Sequence, residues 1–369
     1  LKYKYRTLSK ELAEYNIAYQ PCTVQHINFS VIFSFPIGKT LIMKKICLLV
    51  LSIVSLFAVK AQAQFDGYSW KTINTNGNFQ MREEADFVNV NGLFYLIGGR
   101  KIQNISVFDP KTSTWATAAK PPIELHHFQA IVYKNEIYLV NAMTAGYPHE
   151  KPVDNIYIYN PKQDAWRVGG VIPADRRRGA GGAVVYKNKF YLASGIQDGH
   201  WTGNVTWFDE YDPKTDQWRK LPDAPTARDH AHAAIVGGKL YMIGGVQSDA
   251  MEKKGLANIV AEVDVYDFKT GAWSVAPAKL PVPRAGNGSV VVGNQIIIIA
   301  GESAAQRVAH NNVDAYNTKT GQFSKLPSLV AGRHAVGAIY YNKKIYTCAG
   351  VGNSGGAPLL SSIEVFDKE

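Results

Sequence analysis

Two apolar runs, Ala183-Val-Val-Tyr and Phe190-Tyr-Leu-Ala, flank the turn formers Lys187-Asn188. Short apolar segments around a two-residue polar turn predict a β-hairpin. The same arrangement recurs around Asn91-Gly92, Lys134-Asn135, Gly237-Gly238, Gly293-Asn294 and Asn342-Lys343. The second run of each hairpin ends in small residues: Gly98-Gly99, Ser194-Gly195, Gly244-Gly245, Ala300-Gly301 and Ala349-Gly350, with Asn141-Ala142 as the odd one. Alternating apolar positions follow (Ile156 and Ile158; Val263 and Val265) and predict a third strand, and a fourth carries a tryptophan.

The period is regular. An aromatic residue precedes Asp or Asn at Phe108, Tyr159, Tyr211, Tyr266, Tyr316 and Phe366, at spacings of 51, 52, 55, 50 and 50. Seven residues after each of the first five stands a second aromatic: Trp115, Trp166, Trp218, Trp273 and Phe323. The sixth repeat lacks this residue, whereas Trp70 precedes Trp115 by 45 positions, close to one period. The pattern predicts an all-β fold, a six-bladed propeller with four antiparallel strands per blade. In it, an N-terminal strand around Trp70 completes the last blade and closes the ring.

The glycine pair, the aromatic before Asp-Pro-Lys-Thr (as in Asp109–Thr112 and Asp212–Thr215) and the Trp beyond it resemble Kelch repeats. The resemblance covers residues 68–369 and implies a Kelch-type propeller. Asn141-Ala142 and Phe323 are its local departures.

Upstream of the repeats, Met43-Lys44-Lys45 precedes the apolar run Ile46 to Val59 and then Lys60-Ala61-Gln62-Ala63. A charged start, a 14-residue apolar run and an Ala-x-Ala site have the form of a secretory signal peptide, 43–63. The run is too short for a membrane span, which needs about 20 residues. Residues 1–42 are read as an over-extended gene start, and 64–369 as the propeller. The expected location is secreted or periplasmic, with no membrane anchor in the mature chain.

This division changes the charge. The whole chain has 40 Lys+Arg against 30 Asp+Glu, a net of +10, which by itself suggests a nucleic-acid partner. Residues 1–63 hold eight basic and two acidic groups, leaving 32 against 28, or +4, on 64–369. No nucleic-acid partner is expected. The single cysteine after residue 63, Cys348, lies in an apolar run and reads as a buried thiol.

Candidate chemistry gathers where the inner strands begin. Thirteen residues before the aromatic of each second strand (or Ile297) stand Arg82, Arg178, Arg228, Arg284 and Arg333; the second repeat has Leu125 there, followed by His126 and His127. Guanidiniums at this register can hydrogen-bond loop carbonyls, or ring one mouth of the channel and capture anions. The loops after the second strands share that face. They bring His200 and Trp201, a sugar-stacking platform or a blade cap, together with Glu302 and Arg307. Glu302 follows Ala300-Gly301 and would either neutralise the arginines or act as a base. No linear His, Cys or carboxylate spacing supports a metal, and no cofactor is expected.

Gly301-Glu302 with Arg307 is also similar to the motif of periplasmic N-acetylneuraminate epimerases, which are Kelch propellers with signal peptides. That resemblance implies a sialic-acid mutarotase in which Glu302 accepts the anomeric hydroxyl proton. A copper oxidase of the galactose-oxidase kind is not expected, since its crosslinking cysteine has no counterpart. The combined reading is a monomer binding an acidic or polar carbohydrate, or an acidic protein loop, through Arg82, His127, Arg178, His200, Trp201, Arg228, Arg284 and Arg333. The alternative reading is the mutarotase, with Glu302 and Arg307 catalytic.

Overall fold

The structure, a computed structural model, describes residues 64–369; the expected extension 1–42 and leader 43–63 lie outside the described residues. Six four-stranded antiparallel sheets make the six blades of a propeller. Blade 3 is representative: Gly182–Tyr186, Lys189–Ala193, Phe208–Asp212 and Gln217–Leu221, each strand pairing with the next. In blade 6 the fourth strand is Tyr68–Thr72, which pairs with Ile363–Lys368 so that Trp70 stands opposite Phe366. That is the register in which Trp115 faces Phe108 and Trp218 faces Tyr211 in other blades. Helix is confined to two short 3-10 turns, Ala174–Arg176 and Gly255–Asn258, among the described residues.

The turn chemistry explains the hairpins. Both central residues have positive φ at Asn91-Gly92, Lys134-Asn135, Lys187-Asn188, Gly237-Gly238 and Asn342-Lys343. Two consecutive left-handed residues match the right-handed twist of the flanking strands, which explains the Asn and Gly content. Each turn therefore fixes the strand register, and with it which side chains enter the layers between blades.

Those layers are apolar and aromatic. Phe94, Phe108, Phe190, Phe208 and Phe366 are fully buried, and cross-strand pairs such as Phe108–Trp115 bring ring centroids within 4.9 Å. Three tryptophans also link neighbouring blades, since the indole N–H groups of Trp166, Trp218 and Trp273 donate to the carbonyls of Ala119, Val171 and Pro222. These half-buried indoles keep their donors satisfied in this way while their rings fill the outer gap between blades.

Around the axis, six equivalent residues hold left-handed backbone: Glu84, His127, Ala180, His230, Gly286 and Ala335, with φ between 50° and 61°. They link blade to blade, His127 N–H donating to Glu84, Ala180 to His127, Gly286 to His230 and Ala335 to Gly286. A non-glycine residue in this region is uncommon, and here the repeat imposes it on alanine as well as on Glu and His. The conformation belongs to the fold, and the choice of side chain decides what faces the axis.

Candidate functional site

The five arginines do not face the channel mouth. All are buried and committed inside their own blades. Arg82 donates to the carbonyls of Gln80, Gly98 and Asn104. Arg178 donates to Leu192 and Ser194 and to Asp209. Arg228 holds the Gly244 carbonyl and the Asp264 carboxylate, Arg284 the Ala300 and Ile298 carbonyls with Asp314, and Arg333 the Ala349 carbonyl with Glu364. The expected anion-capturing ring is thus corrected to a set of internal braces. Unpaired strand-end carbonyls and buried carboxylates each need a donor, and one planar fork supplies several.

This brace explains the second repeat. In blades 1, 3, 4 and 5 the second residue of the small pair lies against the arginine of its own blade: a Cβ on Gly195 would meet Arg178 Cγ at 2.6 Å and the Gly179 carbonyl at 2.7 Å. Where Leu125 replaces the arginine, Ala142 is accommodated and fully buried.

A cavity of about 540 Å3 opens on the expected loop face, and all six blades contribute to it. Its polar lining is Glu83, Glu84, Arg100, His200, His230, Ser248, Glu302 and His334, with Tyr147, Val246 and Leu256 as apolar wall. Arg100 is tied to buried Glu150 at 2.5 Å and approaches Glu83 at 3.8 Å. Its cation Arg100 is thus spent on carboxylates, and what remains for a ligand is carboxylate and imidazole.

Of the residues read from sequence, Glu302 and His200 line this cavity, and His127 lies beneath it in a narrow pocket with Glu84 and His230. Arg307 is exposed, and no ion pair joins it to Glu302 among the described residues. Glu302 instead faces His334, with Oε1 3.2 Å from Nδ1, while its Oε2 accepts from the Gly355 N–H at 3.0 Å. His334 Nε2 faces the carbonyls of Asn353 and Gly355 and so carries a proton. The ring thus turns its other nitrogen, Nδ1, to the carboxylate. Trp201 lies outside the cavity, its ring 4.8 Å from that of His149. Tyr147, 67% exposed and 5.2 Å from the His200 ring, supplies the aromatic face instead.

Three imidazoles converge at the floor. One ring nitrogen each of His127, His200 and His230 lies within 4.8 Å of the others. Carboxylates hold two of the rings from behind: Glu150 accepts from His200 Nδ1 at 2.9 Å, and buried Asp229 from His230 Nδ1. Burial alone would raise the Glu150 carboxyl, but bonds from His200 and Arg100 hold it well below the usual carboxylate range. Burial also opposes charge on His230, yet the Asp229 carboxylate outweighs it and lifts the ring to about 9. Burial, then the charges of His230 and His126, push His127 far down. The cluster escaped linear reading because each ring comes from a different blade. The available signal was the residue two positions after each arginine register, where Glu84, His127 and His230 break a series of Ala and Gly.

Comparison with known proteins agrees with this architecture. The family model described as the Attractin/LZTR1 β-propeller matches residues 55–307. Kelch-like protein terF of Aspergillus terreus is 26% identical over 323 residues, covering 80% of this chain and 67% of its own. Kelch-like protein 38 of Mus musculus is 25% identical over 260 residues, covering 69% of this chain and 42% of that protein, so the match spans less than half of that relative. The solved structure of YjhT superposes with a TM-score of 0.65 at 17% identity, covering 78% of this chain and 95% of that one. With the repeats, the six sheets and the family model in agreement, the chain belongs to the Attractin/LZTR1 family of Kelch-type β-propellers.

Proposed function

We propose that this propeller binds a polar carbohydrate in the cavity at its loop face. One observation carries the reading: hydrogen-bonding carboxylates and imidazoles from five blades converge on a sugar-sized space beside the exposed face of Tyr147, which the remaining blade supplies. Concave sites with a few convergent polar groups and an aromatic wall suit small ligands, and a tyrosine face packs against the apolar face of a pyranose. Since the arginines are spent inside the blades, the lining favours hydroxyl-rich neutral sugars over strongly anionic ones or an acidic protein loop. A glycan array on the full chain tests this. Retention of neutral glycans that falls in Tyr147→Ala supports the reading, and an array bound equally by both proteins, or by neither, overturns it.

A second reading, sugar mutarotation, is favoured by the Glu302–His334 pair. Anomer exchange needs a base for the anomeric hydroxyl and an acid for the ring oxygen, and a carboxylate 3.2 Å from an imidazole at a cavity wall offers one group for each step. Saturation-transfer NMR of N-acetylneuraminate and neutral hexoses measures the exchange. Acceleration lost in Glu302→Gln supports it; a rate equal to buffer removes it. We also propose export, on the strength of Lys44-Lys45, the apolar run 46–59 and Ala61-Gln62-Ala63. A secreted product whose N-terminal peptide begins at Gln64 is the expected mass-spectrometric result.

A further inference from the structure

We infer that His127, His200 and His230, with the Glu84 carboxylate, bind one divalent transition-metal ion of the zinc class at the floor of the cavity. The inference stands apart from the carbohydrate reading.

The hydrogen bonds assign the lone pairs. His126 Nε2 lies 3.0 Å from the Ala145 carbonyl, an acceptor only, so this nitrogen carries the proton and Nδ1 of a neutral His126 is an acceptor. His127 Nδ1 sits 2.6 Å from that acceptor and therefore donates to it. His127 Nε2 is left with a bare lone pair, and it is buried without a hydrogen-bond partner. The nearest charged group to it is Glu84, whose Oε2 is 3.3 Å away. Two acceptors face each other at the propeller axis with no proton between them. A cation resolves that repulsion.

The other two rings are set the same way. His200 and His230 each direct Nδ1 to a carboxylate that is itself fully buried, which leaves Nε2 as the free nitrogen. A carboxylate behind each imidazole is the arrangement that orients metal-ligating histidines and raises their basicity. His127 Nε2, a buried acceptor without a donor, thus lies where two carboxylate-backed imidazoles also converge.

The donor set selects the ion. Three imidazoles, with the His230 ring giving up its proton to the ion, and one carboxylate suit zinc and its neighbours cobalt, nickel and copper, whereas magnesium and calcium prefer all-oxygen sites. A tetrahedral ion with bonds of about 2.0–2.1 Å has donor edges of about 3.3 Å. The His127–Glu84 pair already has that spacing, and the three imidazole nitrogens, within 4.8 Å of one another, close on the ion by up to about 1.5 Å. The ring of left-handed residues places Glu84, His127 and His230 on the axis, and the loop of blade 3 lowers His200 onto them.

The test uses the full chain without a histidine tag, stripped with chelator and dialysed. Zinc titration by calorimetry is expected to saturate at one ion per chain, and cobalt to give the intense absorption of a tetrahedral site. Glu150→Gln, which removes the carboxylate behind His200 and the ion pair to Arg100, should weaken zinc about 10–100-fold. His200→Ala should weaken it at least as much; that ring is partly exposed, and thermal melting in chelator verifies that the variant remains folded. Zinc should raise the melting temperature of the parent and not of His200→Ala. Absence of saturable zinc binding by the parent, an octahedral cobalt spectrum, or unchanged zinc affinity in both variants overturns the inference. Sugar binding measured in chelator keeps the carbohydrate reading separate.

Discussion

The Arg228 guanidinium donates to the Asp264 carboxylate at 2.8 Å with both side chains fully buried, bracing the entry of one inner strand to the third strand of the same blade. The brace recurs as Arg178–Asp209, Arg284–Asp314 and Arg333–Glu364, always with the acid two residues before the blade's aromatic mark. In blade 2 both members change together, to Leu125 and Tyr157.

Removing one member leaves the other buried and unpaired, which costs about 3–5 kcal/mol. Arg228→Ala is expected to lose that much in urea unfolding. Arg228→Leu combined with Asp264→Tyr, the blade 2 solution, should recover part of it. A double variant no more stable than the single ones would contradict the pairing.

Trp70 packs against Phe366 with centroids 5.3 Å apart and is nearly buried, as Trp115 is against Phe108. Trp70→Ala should therefore destabilise the fold by about 3–5 kcal/mol, comparably to Trp115→Ala. Thermal melts of the two variants, side by side, measure whether the sixth blade depends on this strand as the first depends on its own.

Burial pushes the Cys348 thiol far up, despite the opposing charges of Arg333 and Arg82, and the side chain is fully inaccessible. Since the thiolate is the reactive form, a colorimetric disulfide reagent should label no Cys348 in the native state and label it fully in urea. Fast labelling of the folded chain would show an open blade 6.

Two histidines of one inner strand region bound the pH range of stability. His230 is raised to about 9, so its contribution is complete below the ordinary value of 6.5 and is lost as pH rises through 9. Burial lowers His232 to about 4, so the unfolded chain binds the extra proton first and stability falls as pH drops from 6.5 toward 4. Urea midpoints in chelator should peak near neutrality. His232→Phe should flatten the acid limb, and His230→Gln the alkaline one, when the midpoints are plotted against pH.

The repeats were legible because packing repeats. Every blade needs a tight hairpin and an aromatic to fill the outer gap, five carry a small pair with an arginine, and each need leaves a mark about every 50 residues. The arginine register was equally visible, but its direction was not: the same spacing serves a guanidinium aimed at solvent or one folded back onto Gly244 and Asp264. Likewise Gly301-Glu302 marked a carboxylate on the loop face, whereas its partner proved to be His334 of the next blade and not Arg307.

Thus the sequence by itself determined six blades, their turns, the strand around Trp70 and the face that carries the loops, because these follow from local periodicity and sterics. Only the tertiary structure decided which side chains meet on the axis. A ligand or ion there sits once, not six times, so Glu84, His127, His200 and His230 need not repeat. Closing the ring brings residues from blades 1 to 4 within reach of one another, a proximity that no linear spacing encodes.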